Sequence, residues 1–337
     1  MAPEFAVVGC LTLDSVINHD GHRYARAAGG NVLYTALGAR VWTDRVGIIS
    51  RAGADYPTAT LTALSDLGVD TSGVSVLDGR HEFLVAFAYD ADGHRTRVVP
   101  PDLMATLPSA ERPAYVDTTS EEVLRVAYAA DPEDLPADWL AGTRAWLLAS
   151  LPRAKQRALA VQLRSRTPPG TAVLADGVDA KDLGPGVGLS DFGYVAALDA
   201  LLPSEVDLTV PGLDEPFARM NAFLSLSVPT VVMKFGPRGS VVLTEQGSWH
   251  VPVAPVRAVD PTGAGDSYCG GFTVGYAETR DPLEAAVYGT VAASYTVECD
   301  GLPLHQSAPR AEVERRAEQV RGSIRRIRHD PREIASS

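Results

Sequence analysis

Several things that would fix the class of this chain are scarce or missing in it. Cysteine is rare: Cys10, Cys269 and Cys299 are odd in number, widely separated and without Cys-x-x-Cys spacing. Neither a disulfide framework nor a zinc site is indicated, and a reducing compartment is expected. No apolar run approaches the ~18 residues of a membrane-spanning helix, and the residues before Gly9 hold no basic leader, so a cytoplasmic protein with no membrane partner is expected. Positive charge is short as well: the net charge is −12, which disfavours nucleic acid as a partner because phosphates are repelled unless a local basic face compensates. Lys155, Lys181 and Lys234 are the only lysines, which draws attention to Lys234.

Common catalytic signatures are missing too. The chain holds no Gly-x-x-x-x-Gly-Lys-Ser/Thr loop, its histidines never form His-Glu-x-x-His, and it has no Gly-x-Ser-x-Gly elbow. Gly184-Pro185-Gly186-Val187-Gly188 lacks the strand that should lead into a dinucleotide loop, and Gly9-Cys10-Leu11-Thr12 supplies no glycine fingerprint, which removes a nicotinamide-dependent oxidoreductase.

What is present alternates. Phe5 to Gly9 is an apolar run closed by glycine, the pattern of a buried strand in a parallel sheet. Val32, Leu33, Ala36, Leu37 and Ala39 share one helical face behind Gly29-Gly30-Asn31, with Asn31 available as N-cap. Strands follow at Arg45 to Ser50, Ala145 to Ala149, Ala172 to Ala175, Ala200 to Leu202, Thr230 to Lys234 and Ser240 to Thr244, with helices in most gaps, as in a doubly wound α/β fold. Two segments break the rhythm: a hairpin within about 11–26, and about 81–100, where Glu82 to Tyr89 meets an Asp92-Gly93 turn. Together they suggest a small sheet standing off the main one, with Phe83, Phe87 and Tyr89 as a lid or dimer face, or alternatively a surface on which substrate stacks. One domain over 1–337 is expected, ending in a solvated, Arg- and Glu-rich helix and tail over 306–337.

The sharpest signal is Asp260-Pro261-Thr262-Gly263-Ala264-Gly265-Asp266, after a strand and before a small-residue helix. Glycines there let bare N–H groups converge at a helix N-terminus, where free donors and the helix dipole both favour an anion. A phosphoryl group in flight spreads charge over its equatorial oxygens, so such donors stabilise its transition state. Asp266 is placed to take up the proton of an attacking hydroxyl late in that transfer.

This string resembles the second signature of the ribokinase-like (PfkB) kinases, and the likeness extends over roughly residues 5 to 305. The opening strand with Asp14 is similar to the family's start, Gly29-Gly30-Asn31 to its first glycine signature, and Lys234-Phe235-Gly236-Pro237-Arg238-Gly239 to its turn near the nucleotide phosphates. The resemblance implies a three-layer Rossmann-like core with a central, mostly parallel sheet and a small β-sheet lid. It also implies an ATP- and Mg2+-dependent kinase that phosphorylates an alcohol of a sugar or nucleoside. Asp266 would be the base and Gly263, Ala264 and Gly265 the anion hole. Lys234, Gly236, Arg238, Gly239, Thr262 and Ser204 would border the nucleotide, while Asp14, Gly30 and Asn31 would hold the acceptor. A homodimer through the lids is a further expectation.

The chain departs from the family where Asn-x-x-Glu would order magnesium-bound water: it reads Ser204-Glu205-Val206-Asp207. Asp207 is one methylene shorter than glutamate, which leaves Asp207 or Glu205 as the acidic group toward the metal. That departure also motivates a second expectation, a binding or regulatory protein that keeps the fold without turnover.

Overall fold

Strand β1 (Phe5–Val8) is buried along its whole length, and β2 (Thr12–Asn18) and β3 (Arg23–Gly29) leave the core directly after it. The chain returns through α1 (Asn31–Arg40), β4 (Val46–Gly53), α2 (Thr58–Asp66) and β5 (Asp70–Leu77), then leaves again as β6 (Leu84–Tyr89) and β7 (Arg95–Thr96). Three short helices follow, α3 (Pro101–Thr106), α4 (Glu122–Tyr128) and α5 (Ala137–Gly142). The second half runs β8 (Ala145–Leu148), α6 (Arg153–Arg166), β9 (Ala172–Asp176), β10 (Ala200–Leu202), α7 (Pro216–Leu224), β11 (Val231–Lys234), β12 (Ser240–Thr244) and β13 (Gly247–Val251). It closes with α8 (Ala264–Thr279), α9 (Pro282–Val297), α10 (Arg310–Arg321) and β14 (Arg325–Ile327). The computed structural model describes residues 2–18, 21–89, 95–96, 98–177, 187–205, 212–304 and 308–328. The Asp92-Gly93 turn, Gly184 to Gly186, Asp207 and the tail past 328 lie outside them.

The main sheet has the order β14-β13-β12-β11-β10-β9-β8-β1-β4-β5, parallel from β5 through β11 and antiparallel beyond. Strand order reverses at β1, which lies between β4 and β8, and clefts in such sheets open at the carboxyl ends of strands at this switch point. The second sheet, β3-β2-β6-β7, is the lid. The expected three-layer fold with its small separate sheet is what the chain adopts, though β3 runs to Gly29 rather than stopping near 26.

Helix α8 sets the position of the motif at its start. Ser267 through Ala277 are all buried, so the helix is enclosed rather than amphipathic. Its glycines let it approach its neighbours closely: a Cβ on Gly270 would stand 2.0 Å from the Thr35 carbonyl oxygen of α1, and one on Gly271 2.6 Å from that of Tyr288 in α9. Gly38 of α1 meets the Ser267 backbone in the same way. Ser267 Oγ then donates to the Tyr34 carbonyl at 2.9 Å and accepts from Thr296 Oγ1 at 2.6 Å, which fixes the register of the three helices.

Two expectations are corrected. The C-terminal helix is not simply solvated: Val313, Ala317 and Val320 are buried, and Arg316 is packed over the Tyr295 ring and paired with Glu298 and Glu312. Beyond it, β14 pairs with β13 and extends the sheet. Asn31 is not the N-cap of α1. Gly30 holds that place at φ 117°, a conformation open to glycine, and no side chain caps the helix. Asn31 instead accepts the Cys10 N–H at 2.8 Å and donates to the Ser150 carbonyl at 2.7 Å, joining the ends of β1 and β8.

Candidate active site

A cleft of about 220 Å³ opens at the carboxyl ends of β1 and β8, and Asp14, Gly30, Asn31, Thr262, Gly263 and Asp266 line it together. The acceptor-side and transfer-side residues expected from sequence therefore face one space, although more than two hundred positions separate them along the chain. Asp14 enters from β2, where Thr12 Oγ1 donates to it at 2.6 Å. It fits because Gly29 lacks a side chain: a Cβ there would lie 2.1 Å from its carboxylate.

The first turn of α8 is shaped by one required glycine and one permissive glycine. Gly263 adopts φ 73° with Tyr34 beneath it, and a Cβ would lie 2.1 Å from the ring. Gly265 has no such conflict, its nearest neighbour being Lys234 Nζ at 3.6 Å. Of the three amides expected to form an anion hole, Ala264 N–H donates to the Pro261 carbonyl at 3.2 Å, whereas the Gly263 and Gly265 N–H groups have no partner among the described residues. The loop before them is held by Asp260, which accepts from Thr262 N–H at 2.8 Å and Gly301 N–H at 3.3 Å.

Lys234 lies under this turn, not in the open. Its ammonium donates to Asp176 Oδ1 at 2.9 Å, Cys269 Sγ at 3.1 Å and the Gly265 carbonyl at 3.4 Å. Burial works against its charge, but Asp176 and the other negative groups around it outweigh burial and hold the lysine above its ordinary range. Burial acts the other way on Cys269, pushing its thiol well up, so it is not a nucleophile here. Gly236 and Gly239 bound a tight turn at the end of β11, at φ 58° and 84°. A Cβ on Gly239 would strike the Val251 carbonyl at 2.3 Å. Arg238 of this turn pairs with Glu205, and His250 Nε2 lies 2.7 Å from the Arg238 carbonyl. Glu205, expected toward the metal, is thus committed to a cation, while Ser204 bridges to Lys234 at the sheet edge.

Sequence reasoning singled out Phe83 and Phe87 but missed Val85, Thr119, Arg125, Leu151 and Pro152 in the cleft wall. Phe83, Val85 and Phe87 of the lid side, with Leu151 and Pro152 after β8, form an apolar surface, and Thr119 and Arg125 add polar groups. Arg125 is buried on α4, a segment whose residues carry no spacing signal. Tyr34 also lines the cleft, and Tyr24 stands near it. Both phenols are raised far above their usual range, by burial first and by the charge of Asp14 second, and they stay neutral at any physiological pH.

Comparison with known proteins agrees with this geometry. The family model for pfkB family carbohydrate kinases matches residues 213–306, the stretch that holds the Gly236 turn and the Asp260 to Asp266 string. A cytidine kinase of Thermococcus kodakarensis is 26% identical over 292 residues, covering 84% of this chain and 92% of the relative. Over residues 213–306 the chain is similar to the pfkB family of carbohydrate kinases. Among solved structures, a Burkholderia thailandensis nucleoside kinase in complex with inosine superposes with a TM-score of 0.68 at 14% identity, over 94% of this chain and 98% of that one. An E. coli structure of this fold in complex with ATP and Mg2+ gives 0.65 at 18% identity, over 95% and 100%. The motif within the matched stretch thus lines the same cleft as Asp14 of β2.

Proposed function

We propose that this chain transfers the terminal phosphate of ATP to a hydroxyl of a nucleoside, with a free sugar as the less favoured acceptor. The observation that carries the reading is the shared cleft, lined by Gly263 and Asp266 at the start of α8 and by Asp14, with the Gly263 and Gly265 amides lacking a partner among the described residues. Asp14 and Asn31 would orient acceptor hydroxyls, and Asp266 would accept the proton as the new O–P bond forms. The two amides and the dipole of α8 would hold the developing negative charge. The buried Lys234–Asp176 pair fixes the Gly265 carbonyl, keeping the turn in place while the charge moves.

The nucleoside is favoured because one wall of the acceptor cleft is apolar. Phe83, Val85, Phe87, Leu151 and Pro152 would waste their burial on a polyol but suit the flat face of a base. The relative along most of the chain is a cytidine kinase and one structural neighbour holds inosine, which supports the same choice.

ATP as donor is supported by the likeness of residues 213–306 to the pfkB family and by the structural neighbour in complex with ATP. Among the described residues no group of three acidic, His or Cys side chains could hold a metal alone. A Mg2+ would then be carried on the nucleotide's phosphates and kept largely hydrated, with Asp207 and, on release from Arg238, Glu205 as the acidic candidates read from the sequence. When bound, Mg2+ would neutralise phosphate charge.

The test is a coupled ADP-release assay with Mg-ATP across nucleosides, pentoses, hexoses and polyols. Turnover on at least one nucleoside, at a kcat/KM above that of every sugar, is expected. Normal ATP binding with no ADP formed on any acceptor would instead leave the non-catalytic binding role as the surviving reading.

A further inference from the structure

Val85, Phe87 and Tyr89 stand at alternate positions of β6, so their side chains share one face of the strand. The first two line the acceptor cleft, and all three cluster with Val16 and Tyr24. Tyr89, at the end of that face, reaches past the acceptor to the transfer motif: its hydroxyl and Thr262 Oγ1 share a hydrogen bond of 2.5 Å across 173 positions of sequence. The Tyr89 ring is held edge-on to Phe87, with centroids 5.5 Å apart. Thr262 immediately precedes Gly263, and its own N–H is tied to Asp260, which also holds the Gly301 N–H. One face of a lid strand thus touches both the acceptor space and the loop that aims the Gly263 amide.

We propose that Tyr89 is a positioning residue that couples lid closure over the acceptor to the geometry of the anion hole, through its hydrogen bond to Thr262. An acceptor seated against Val85 and Phe87 sets the height of β6, and that height decides whether the phenol reaches Thr262. With the bond made, the Asp260–Thr262–Gly263 loop is held from both sides and the Gly263 N–H points into the cleft. With it broken, the lid is free to lift, water enters, and phosphate is lost to hydrolysis instead of reaching the acceptor. The inference rests on the kinase reading above for its catalytic half only.

Tyr89→Phe removes one oxygen and keeps the ring, so the fold should survive. Two measurements decide the matter. In hydrogen–deuterium exchange of the unliganded protein, the β2 and β6 amides should exchange about tenfold faster in Tyr89→Phe than in wild type, corresponding to ~1.4 kcal/mol of lost closure. In the kinase assay, ADP released without acceptor should rise about tenfold relative to acceptor phosphorylated, with a raised acceptor KM. Thr262→Val should reproduce both changes, Thr262→Ser should not, and Tyr89→Phe should add nothing further in the Thr262→Val background. Unchanged lid exchange in Tyr89→Phe, or fully additive effects of the two substitutions, would overturn the proposal. Absence of wild-type kinase activity would count against the kinase reading alone, because the exchange experiment still decides whether the contact holds the lid.

Discussion

Single side chains carry sharply different duties within the seven-residue motif. Asp266→Asn removes the proposed proton acceptor and keeps the shape, so turnover should fall by about three orders of magnitude or more while ATP affinity, measured calorimetrically, stays within about threefold. The two glycines beside it should separate in a way their sequence does not suggest. Gly263→Ala meets a positive φ and the Tyr34 ring, and should lower the melting temperature clearly. Gly265→Ala meets only ordinary contacts, so it should melt within a few degrees of wild type yet lose about tenfold or more in turnover, because the new methyl stands beside the amide that receives the anion. Below the turn, Lys234→Met leaves Asp176 buried without its cation; a loss of about 3–5 kcal/mol in urea unfolding is expected. His81 gives the pH dependence. Burial among Tyr56 and Tyr128 pushes its imidazole down to about 4. Between roughly pH 6.5 and 4 the unfolded chain therefore takes up a proton that the folded one refuses, so stability falls as pH drops through that window. A His81→Gln variant should show a shallower decline in a pH series of unfolding curves.

At the level of elements, α8 acts as a rigid mount. Its glycines bring α1 and α9 within backbone contact, so the free amides at its start inherit the positions of two other helices. Gly270→Ala would push a methyl into the Thr35 carbonyl, and a backbone cannot yield as a side chain can. A cost of about 1–3 kcal/mol or more is expected in denaturant unfolding, with turnover falling too because the first turn moves with the helix. Much of this was legible in the sequence. The alternation of apolar strands and helices identified the parallel half of the sheet, and Asp260 to Asp266 announced its chemistry because an anion site at a helix start needs glycine and little else. Other parts carry no local signature. Asn31 has the sequence context of a cap, and only the placement of Cys10 and Ser150 shows that both ends of its amide are used elsewhere. Arg125 reaches the cleft from a helix whose pattern is ordinary, and β14 is three residues long with charged side chains, below what periodicity can register.

The whole molecule bears on how a dimer could assemble. The lid's outer face, with Ile17, Ala86 and Ala88, is covered by Val99, Leu103, Leu107 and Tyr115 from the chain's own segment after β7, and Ser15 Oγ donates to the Ala114 carbonyl. A lid-to-lid dimer would then have to form at the strand edges rather than through that face; light scattering at micromolar concentration checks it, a dimer being the expected outcome and a monomer counting against it. The arrangement of β14 has a consequence for biosynthesis. Residues 325–327 form the outermost strand beside β13, next to the His250 that supports the Arg238 turn. A nascent polypeptide would therefore emerge with every catalytic group already made while one rim of its sheet still lacks its last neighbour. Until the ribosome has delivered Ile327, that rim is open to any passing extended peptide.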